Sequence, residues 1–118
     1  MERYNKNVGD FGEECAKKYL EDNGYKILTQ NYNCRFGEID IIALDDNCLV
    51  FVEVKTRTNL KFGTPAMAVN FTKKKHIKSA AKTFLYLNRR YGDEVRFDVV
   101  EIFINNGKCE IEHIEGAM

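Results

Sequence analysis

The 118-residue chain has a single proline, no tryptophan, and no Pro/Gly-rich or low-complexity stretch. Without such a linker the sequence offers no domain boundary, and we expect one compact domain over residues 1–118. No apolar run approaches the roughly 20 residues of a membrane-spanning helix. The amino terminus is polar and has no signal-peptide core, so we expect a cytoplasmic protein with no membrane partner.

Paired cysteine motifs are also missing. The four cysteines are Cys15, Cys34, Cys48 and Cys109, and none of them forms a Cys-x-x-Cys pair that would begin a zinc site. A cytosolic chain of this length does not usually carry a disulfide framework, so we expect all four to be reduced. Cys15 and Cys109 are interpreted as small apolar fillers.

Acidic residues are absent from one contiguous third of the chain. Between Val54 and Gly92 there are ten Lys and Arg residues and no Asp or Glu, whereas the rest carries eight basic residues and all 18 acids. This asymmetry suits a polyanionic partner bound on one side. The alternative is a solvated basic helix face whose charge evens out in three dimensions.

Hydrophobic periodicity and turn residues predict an α/β domain with a mixed sheet, in the order helix, three strands, helix, two strands. Asn23-Gly24 is expected to cap the first helix, and Tyr91-Gly92-Asp93 to end the second, which would begin at Pro65 and restart at Thr72. The predicted elements are a helix over 8–23, strands over 25–30, 37–44 and 48–56, the second helix, and strands over 95–104 and 109–114.

The second and third strands are expected to form a hairpin with Asp40 directly opposite Glu53. A two-residue loop at Asp46-Asn47 gives this register, and so does a four-residue loop, whereas a three-residue loop would put the two carboxylates on opposite faces. Strand periodicity adds Lys55 to the face of Glu53. The acids then end an apolar row, where charged groups are usually paired or bound to metal.

Two carboxylates in this arrangement supply hard oxygen ligands for Mg²⁺ or Mn²⁺. A divalent ion would polarise a phosphodiester, with Lys55 orienting water or stabilising the phosphorane charge. The structural alternative is a salt bridge in which Lys55 lies between Asp40 and Glu53. Glu13 lies along the buried stripe of the first helix and is a candidate third acid, although the spacing alone favours a surface pair with Lys17.

Four segments carry a resemblance to a known family: Gly37 to Ile42, Leu49 to Arg57, Phe62 to Val69 and Arg96 to Val100. Together they resemble the YraN family (UPF0102), which is similar to the restriction-endonuclease-like PD-(D/E)xK nucleases, including archaeal Holliday-junction resolvases. The resemblance implies a restriction-endonuclease-like mixed sheet flanked by helices. It also implies a Mg²⁺- or Mn²⁺-dependent endonuclease acting on DNA, in branched or structured form, and a homodimer.

Carried over by position, the resemblance assigns Asp40 as the motif aspartate and Glu53 with Lys55 as the (D/E)xK element. It favours Glu13 as the acid of the first helix and implies that Lys73 contacts phosphate. The expected nucleic-acid-binding residues are Arg57, Lys73, Lys74, Lys75 and Lys78. Two rival hypotheses stay open: a non-catalytic nucleic-acid-binding module that keeps the fold, and a protein-interaction domain.

Overall fold

A computed structural model of the chain describes residues 2–57, 71–90 and 92–118. The predicted order of elements is confirmed, and with it the α/β class. In chain order the elements are α1 (Glu2–Asp22), β1 (Lys26–Cys34), β2 (Gly37–Asp45), β3 (Cys48–Arg57), α2 (Phe71–Leu87), β4 (Glu94–Asn105) and β5 (Lys108–Ile114).

The five strands form one sheet in the order β1-β2-β3-β4-β5. Neighbouring strands are antiparallel except for β3 and β4, which pair in parallel from Cys48↔Glu94 to Arg57↔Phe103. Parallel neighbours need a crossover connection, and α2 lies in the segment that joins them. The mixed sheet predicted from the sequence is therefore confirmed.

The two helices cover opposite faces of this sheet, because alternate residues of each strand point to opposite sides. The cluster under α1 includes Ala16, Leu20, Ile41, Val50 and Val52. The cluster under α2 includes Ile42, Leu49, Phe51, Ile77 and Phe84. In the described part of the chain, no helix has both the length and the hydropathy that crossing a membrane requires.

The end of α1 is the one that the sequence predicts. Gly24 has φ +88°, a left-handed conformation that a glycine adopts without a steric penalty. Its N–H donates to the Glu21 carbonyl at 3.0 Å, and the Tyr25 N–H donates to the Leu20 carbonyl at 2.9 Å. These two bonds form a Schellman motif, and they satisfy carbonyls that the last turn leaves without helical partners.

The predicted end of α2 is wrong, because the helix stops at Leu87 instead of Tyr91-Gly92-Asp93. Arg89 has φ +54°, and the Arg90 N–H donates to the Leu85 carbonyl at 2.9 Å, which closes the same type of cap without a glycine. Thr72 lies inside the helix, one residue after its first, and is not its cap. Pro65 and Tyr91 lie outside the described residues.

A buried polar cluster fastens the C-terminal segment to the α1 side of the sheet. Asp98, fully buried, accepts hydrogen bonds from Arg96 Nε and Nη2 at 2.9 Å and from the Gly116 N–H at 3.0 Å. His113 Nε2 lies 2.7 Å from the same carboxylate. Burial alone would raise the pKa of Asp98, but these hydrogen bonds lower it below its usual range. His113 is therefore a structural partner in this network.

Candidate active site

The candidate site lies where the pairing between strands β2 and β3 ends. Their pairing follows the predicted register from Asp45↔Cys48 to Ile41↔Val52, which confirms the two-residue loop. Beyond that point β2 continues along β1 and β3 continues along β4. Asp40 and Glu53 come one step after the last paired residues, and we call this opening in the sheet the fork.

At the fork, the Asp40 side chain replaces a backbone carbonyl as the hydrogen-bond acceptor for Val54. Its Oδ2 accepts a hydrogen bond of 2.8 Å from the Val54 N–H. On the other side, the pairing of β1 with β2 skips from Gln30↔Ile41 to Tyr32↔Ile39, and Asn31 between them has φ +52°. The ladder is thus interrupted on both sides of Asp40, which leaves its carboxylate facing Glu53 rather than an ordinary strand neighbour.

The two carboxylates, Asp40 and Glu53, form a coupled pair that we call the acid pair. Burial and the negative charge of Glu53 raise the pKa of Asp40 to about 7, and a direct hydrogen bond between the two carboxyl groups acts in the same direction. The hydrogen bond from Val54 opposes this shift only in part. Since only 4% of Glu53 is exposed, water does little to relieve the repulsion. The acid pair therefore resists carrying two negative charges near neutral pH, a state that a bound cation would favour.

Lys73, at the start of α2, supplies a positive charge at Glu53. Its ammonium forms an ion pair with Glu53 Oε2. Burial lowers the pKa of Lys73, but the hydrogen bond and charge of Glu53, with the charge of Asp40, raise it by more. Lys73 was expected to meet phosphate, and the structure puts its ammonium against the acid pair.

Lys55 lies two residues beyond Glu53 in the regular β3–β4 ladder, and is therefore on the same face. Within the described ranges, no ion pair joins its ammonium to Asp40 or Glu53. The alternative in which Lys55 bridges the two acids is therefore wrong, because α2 provides that cation through Lys73.

Glu13 approaches the acid pair from α1. Burial raises the pKa of Glu13, as do the charges of Glu38, Asp10 and Glu53, while a hydrogen bond with Asn31 lowers it. The surface pair with Lys17 is not formed in the part of the chain that the structure describes. Glu13 therefore belongs to the electrostatic surroundings of Asp40, to which its charge also contributes.

A close contact between α1 and β3 makes this approach feasible. A Cβ added to Gly12 would overlap Thr56 Oγ1, well inside van der Waals contact. The absence of a side chain at residue 12 therefore lets the helix rest directly on the end of β3. This contact brings the neighbouring Glu13 to the fork.

The acid pair suits a hard divalent cation, although the described residues contain no group of three or more His, Cys, Asp or Glu side chains arranged to hold a metal. Two neighbouring carboxylates offer oxygen ligands of the kind that Mg²⁺ and Mn²⁺ prefer. Asp40 and Glu53 would provide two ligands, and water the others. The site thus fits a metal that keeps several of its own waters.

The family model described as "Uncharacterised protein family UPF0102" matches residues 12–102, a range that contains every predicted site residue. The chain belongs to the UPF0102 family. A UPF0102 protein of Caldicellulosiruptor bescii is 52% identical over 110 residues, covering 92% of each chain. One from Clostridium perfringens strain SM101 is 43% identical over 119 residues, covering 99% of this chain and 98% of the relative. One from Alkaliphilus oremlandii is 46% identical over 115 residues, covering 96% and 98%.

In this UPF0102 chain the predicted nucleic-acid-binding residues do not form one group. Arg57 Nε lies 3.4 Å from Oε2 of the buried Glu101, so Arg57 takes part in an internal ion pair. Lys73 contacts the acid pair. In contrast, Lys74, Lys75 and Lys78 line a concavity of about 420 Å³ on the outer side of α2. That concavity is lined by Phe71, Lys74, Lys75, Lys78, Ser79 and Lys82, and we call its four lysines the lysine face.

Sequence reasoning missed several neighbours of the site in the UPF0102 chain. A hollow of about 270 Å³ beside Lys73 is lined by Glu38 and His76, among others. Lys82, the fourth member of the lysine face, and the 80% exposed Phe71 beside it were not predicted as binding residues. Lys82 follows the predicted Lys78 by four residues, a helical spacing that places the two side chains on one face and could have indicated Lys82. Asn31 gave a weaker signal, as a residue type that tolerates positive φ.

Proposed function

We propose that the chain is a Mg²⁺- or Mn²⁺-dependent endonuclease that hydrolyses phosphodiester bonds in DNA. The observation that carries the proposal is the acid pair at the fork, where Asp40 is held by the Val54 N–H at 2.8 Å and the neighbouring Glu53 is 4% exposed. Such strongly perturbed carboxylates are typical of functional sites. The resemblance to PD-(D/E)xK nucleases supports the same assignment, since Asp40, Glu53 and Lys55 occupy its motif positions.

Asp40 and Glu53 would hold the divalent ion, which supplies Lewis-acid polarisation of the phosphodiester and acidifies bound water. Lys55 projects from the same face of β3 as Glu53 and would orient the attacking water or stabilise the charge of the phosphorane. Glu13, on α1, would add negative charge that favours retention of the cation. Burial of Glu53 keeps these interactions strong, because little solvent screens them.

Lys73 is proposed to exchange partners during this process. The ammonium group and a divalent cation compete for the same Glu53 carboxylate, since both need its negative charge. A cation bound at Glu53 would weaken this ion pair, and the Lys73 side chain, which is 48% exposed, would then be able to turn towards a phosphate. In this proposal Lys73 neutralises the acid pair first and contacts the DNA backbone afterwards.

A cleavage screen tests the assignment. Linear, nicked and four-way-junction DNA, with a matching RNA duplex, are incubated with the protein in Mg²⁺ or Mn²⁺. We expect cleavage of DNA that falls about 100-fold or more in Asp40→Ala, Glu53→Ala and Lys55→Ala. Glu112→Ala and Lys108→Ala, exposed on β5, are matched controls that should cut normally. Metal-dependent cleavage that persists unchanged in all three site variants would contradict the proposal.

The separation of the lysine face from the acid pair favours a second candidate, a nucleic-acid-binding module without catalysis. Three of the predicted phosphate contacts line a surface that does not include Asp40 or Glu53. This candidate predicts salt-sensitive DNA binding that Asp40→Ala leaves intact and that Lys75→Ala with Lys78→Ala weakens. Calorimetric titration with Mn²⁺ separates the two candidates, because a module without catalysis should bind no metal at millimolar concentration.

The resemblance to junction-cutting nucleases also leads us to propose a homodimer, since two strands of a junction need two active sites. Light scattering of the purified protein, with and without junction DNA, measures the mass directly. A monomeric mass in both samples would exclude the dimer and leave the proposed chemistry untouched.

A further inference from the structure

Two cysteines distant in sequence lie in contact on the α1 side of the sheet. Cys15 is on α1 and Cys109 is on β5, 94 positions later, and their Sγ atoms are 2.6 Å apart. Both side chains are half-buried and pack against the core cluster under α1, as expected for apolar fillers. All four cysteines are free, and within the described residues no other two have their sulfur atoms in contact.

The pair of thiols borders an open hollow. Its volume is about 300 Å³, and it is lined by Cys15, Lys18, Tyr19, Asp22, Asn23, Cys109 and Ile111. A small molecule in this hollow can reach either sulfur without any separation of α1 from the sheet. Lys18 and Asp22 give the hollow one charge of each sign, which suits a small disulfide that carries both carboxylates and ammonium groups.

We propose that Cys15 and Cys109 form a modification site that undergoes thiol–disulfide exchange with small-molecule disulfides. One protein thiolate attacks a sulfur of the small disulfide, forms a mixed disulfide and releases the first small thiolate. The second protein thiol loses its proton and attacks the protein-bound sulfur, which forms the Cys15–Cys109 bond and expels the second small thiolate. The protein pair is oxidised by two electrons, and one small disulfide is reduced to two thiols.

The surroundings of Cys15 keep its thiol from ionising freely. Burial, the hydrogen bond with Cys109 and neighbouring negative charges raise the pKa of Cys15 to about 11, which keeps it protonated near neutral pH. Because the thiolate is the nucleophile, whichever of the two thiols loses its proton first opens the exchange, and the other resolves the mixed disulfide. In reducing compartments such bonds are transient and respond to oxidants, which is the role that this site suggests.

The bond would join α1 to β5 across most of the chain. Cross-linking residues so far apart in sequence removes conformational freedom from the unfolded state, and a loop of this length stabilises the fold substantially. We therefore expect oxidation to raise the midpoint of thermal unfolding by roughly 10 °C. The readout concerns folding alone and does not depend on the proposed nuclease.

The experiment uses the full-length protein incubated with oxidised glutathione, followed by alkylation under unfolding conditions and mass spectrometry. We expect a Cys15–Cys109 cross-linked peptide, with Cys34 and Cys48 alkylated as internal controls. Cys15→Ser should accumulate a mixed disulfide on Cys109, because the resolving thiol is missing, and its melting temperature should not rise.

Three results would overturn the proposal. The first is a wild-type protein with no Cys15–Cys109 link after hours in excess oxidised glutathione. The second is oxidation of Cys34 or Cys48 at the same rate as Cys15 and Cys109. That result would mean that neither the contact between the two sulfurs nor the neighbouring hollow increases reactivity. The third is a linked protein that melts at the temperature of the reduced one.

Discussion

The substitution Asp40→Asn should stabilise the metal-free protein, and only above acidic pH. Asn has the shape of Asp, can accept the hydrogen bond from the Val54 N–H, and can donate its amide to Glu53. It removes the charge that the fold resists, because burial and Glu53 raise the pKa of Asp40 to about 7. The variant therefore keeps the contacts of the fork and loses its repulsion.

The magnitude and the sign follow from linkage between protonation and folding. Between an ordinary aspartate pKa of 3.8 and about 7, the folded protein binds a proton at Asp40 that the unfolded chain has lost. Wild-type stability therefore falls as pH rises through this range. Three pH units at about 1.4 kcal/mol each give about 4 kcal/mol of lost stability above pH 7. Asp40→Asn should escape this loss.

Urea unfolding followed by circular dichroism measures the difference, since the chain has no tryptophan. With EDTA present, we expect wild type and Asp40→Asn to have nearly equal free energies of unfolding at pH 4. At pH 8 the free energy of unfolding of Asp40→Asn should be higher by up to about 4 kcal/mol. Asp46→Asn, at an exposed turn position with φ +52°, is the matched control and should match wild type at both pH values. A variant no more stable than wild type at pH 8 would refute the reasoning. With excess Mn²⁺ the order should reverse, because only wild type retains both proposed ligands.

Three further substitutions test other parts of the structure. Lys73→Met should tighten Mn²⁺ binding about 3- to 10-fold by calorimetry, because no ammonium then competes for Glu53, and weaker binding would contradict the proposed exchange of partners. Gly12→Ala should destabilise the fold by about 1–3 kcal/mol in urea unfolding, and Thr56→Ala should partly rescue this loss. Equal losses in the single and double variants would argue against a close approach of α1 to β3 at this point. Asp98→Ala should lose about 3–5 kcal/mol, since it leaves Arg96 without its buried partner; a loss below about 1 kcal/mol would disprove that account.

The local parts of this structure could be predicted from the sequence. The register of the β2–β3 hairpin follows from the period of two along each strand and from the turn residues between them. The end of α1 follows from Asn23-Gly24, because glycine is the residue that takes positive φ at no steric cost. Such features depend on a few neighbouring residues, which the sequence displays directly.

The parts that escaped prediction depend on tertiary contacts. Arg89 adopts positive φ without being a glycine and without a signal in the sequence, and Asn31 carries only the weak signal of its residue type. The identity of the cation at Glu53 depends on how α2 is rotated over the sheet, and this rotation selects Lys73 over Lys55. The contact of Gly12 with Thr56 joins residues 44 positions apart, so the sequence shows the glycine but not its partner.

The parallel pairing of β3 with β4 has a consequence for the rate of folding. Both members of the acid pair lie on one hairpin, which can form within microseconds, whereas α2 and the parallel pairing close a longer stretch of chain and form more slowly. During refolding, the two carboxylates therefore face each other before Lys73 arrives to neutralise them. We expect the chain to refold faster at pH 5 than at pH 8, with Asp40→Asn insensitive to this change.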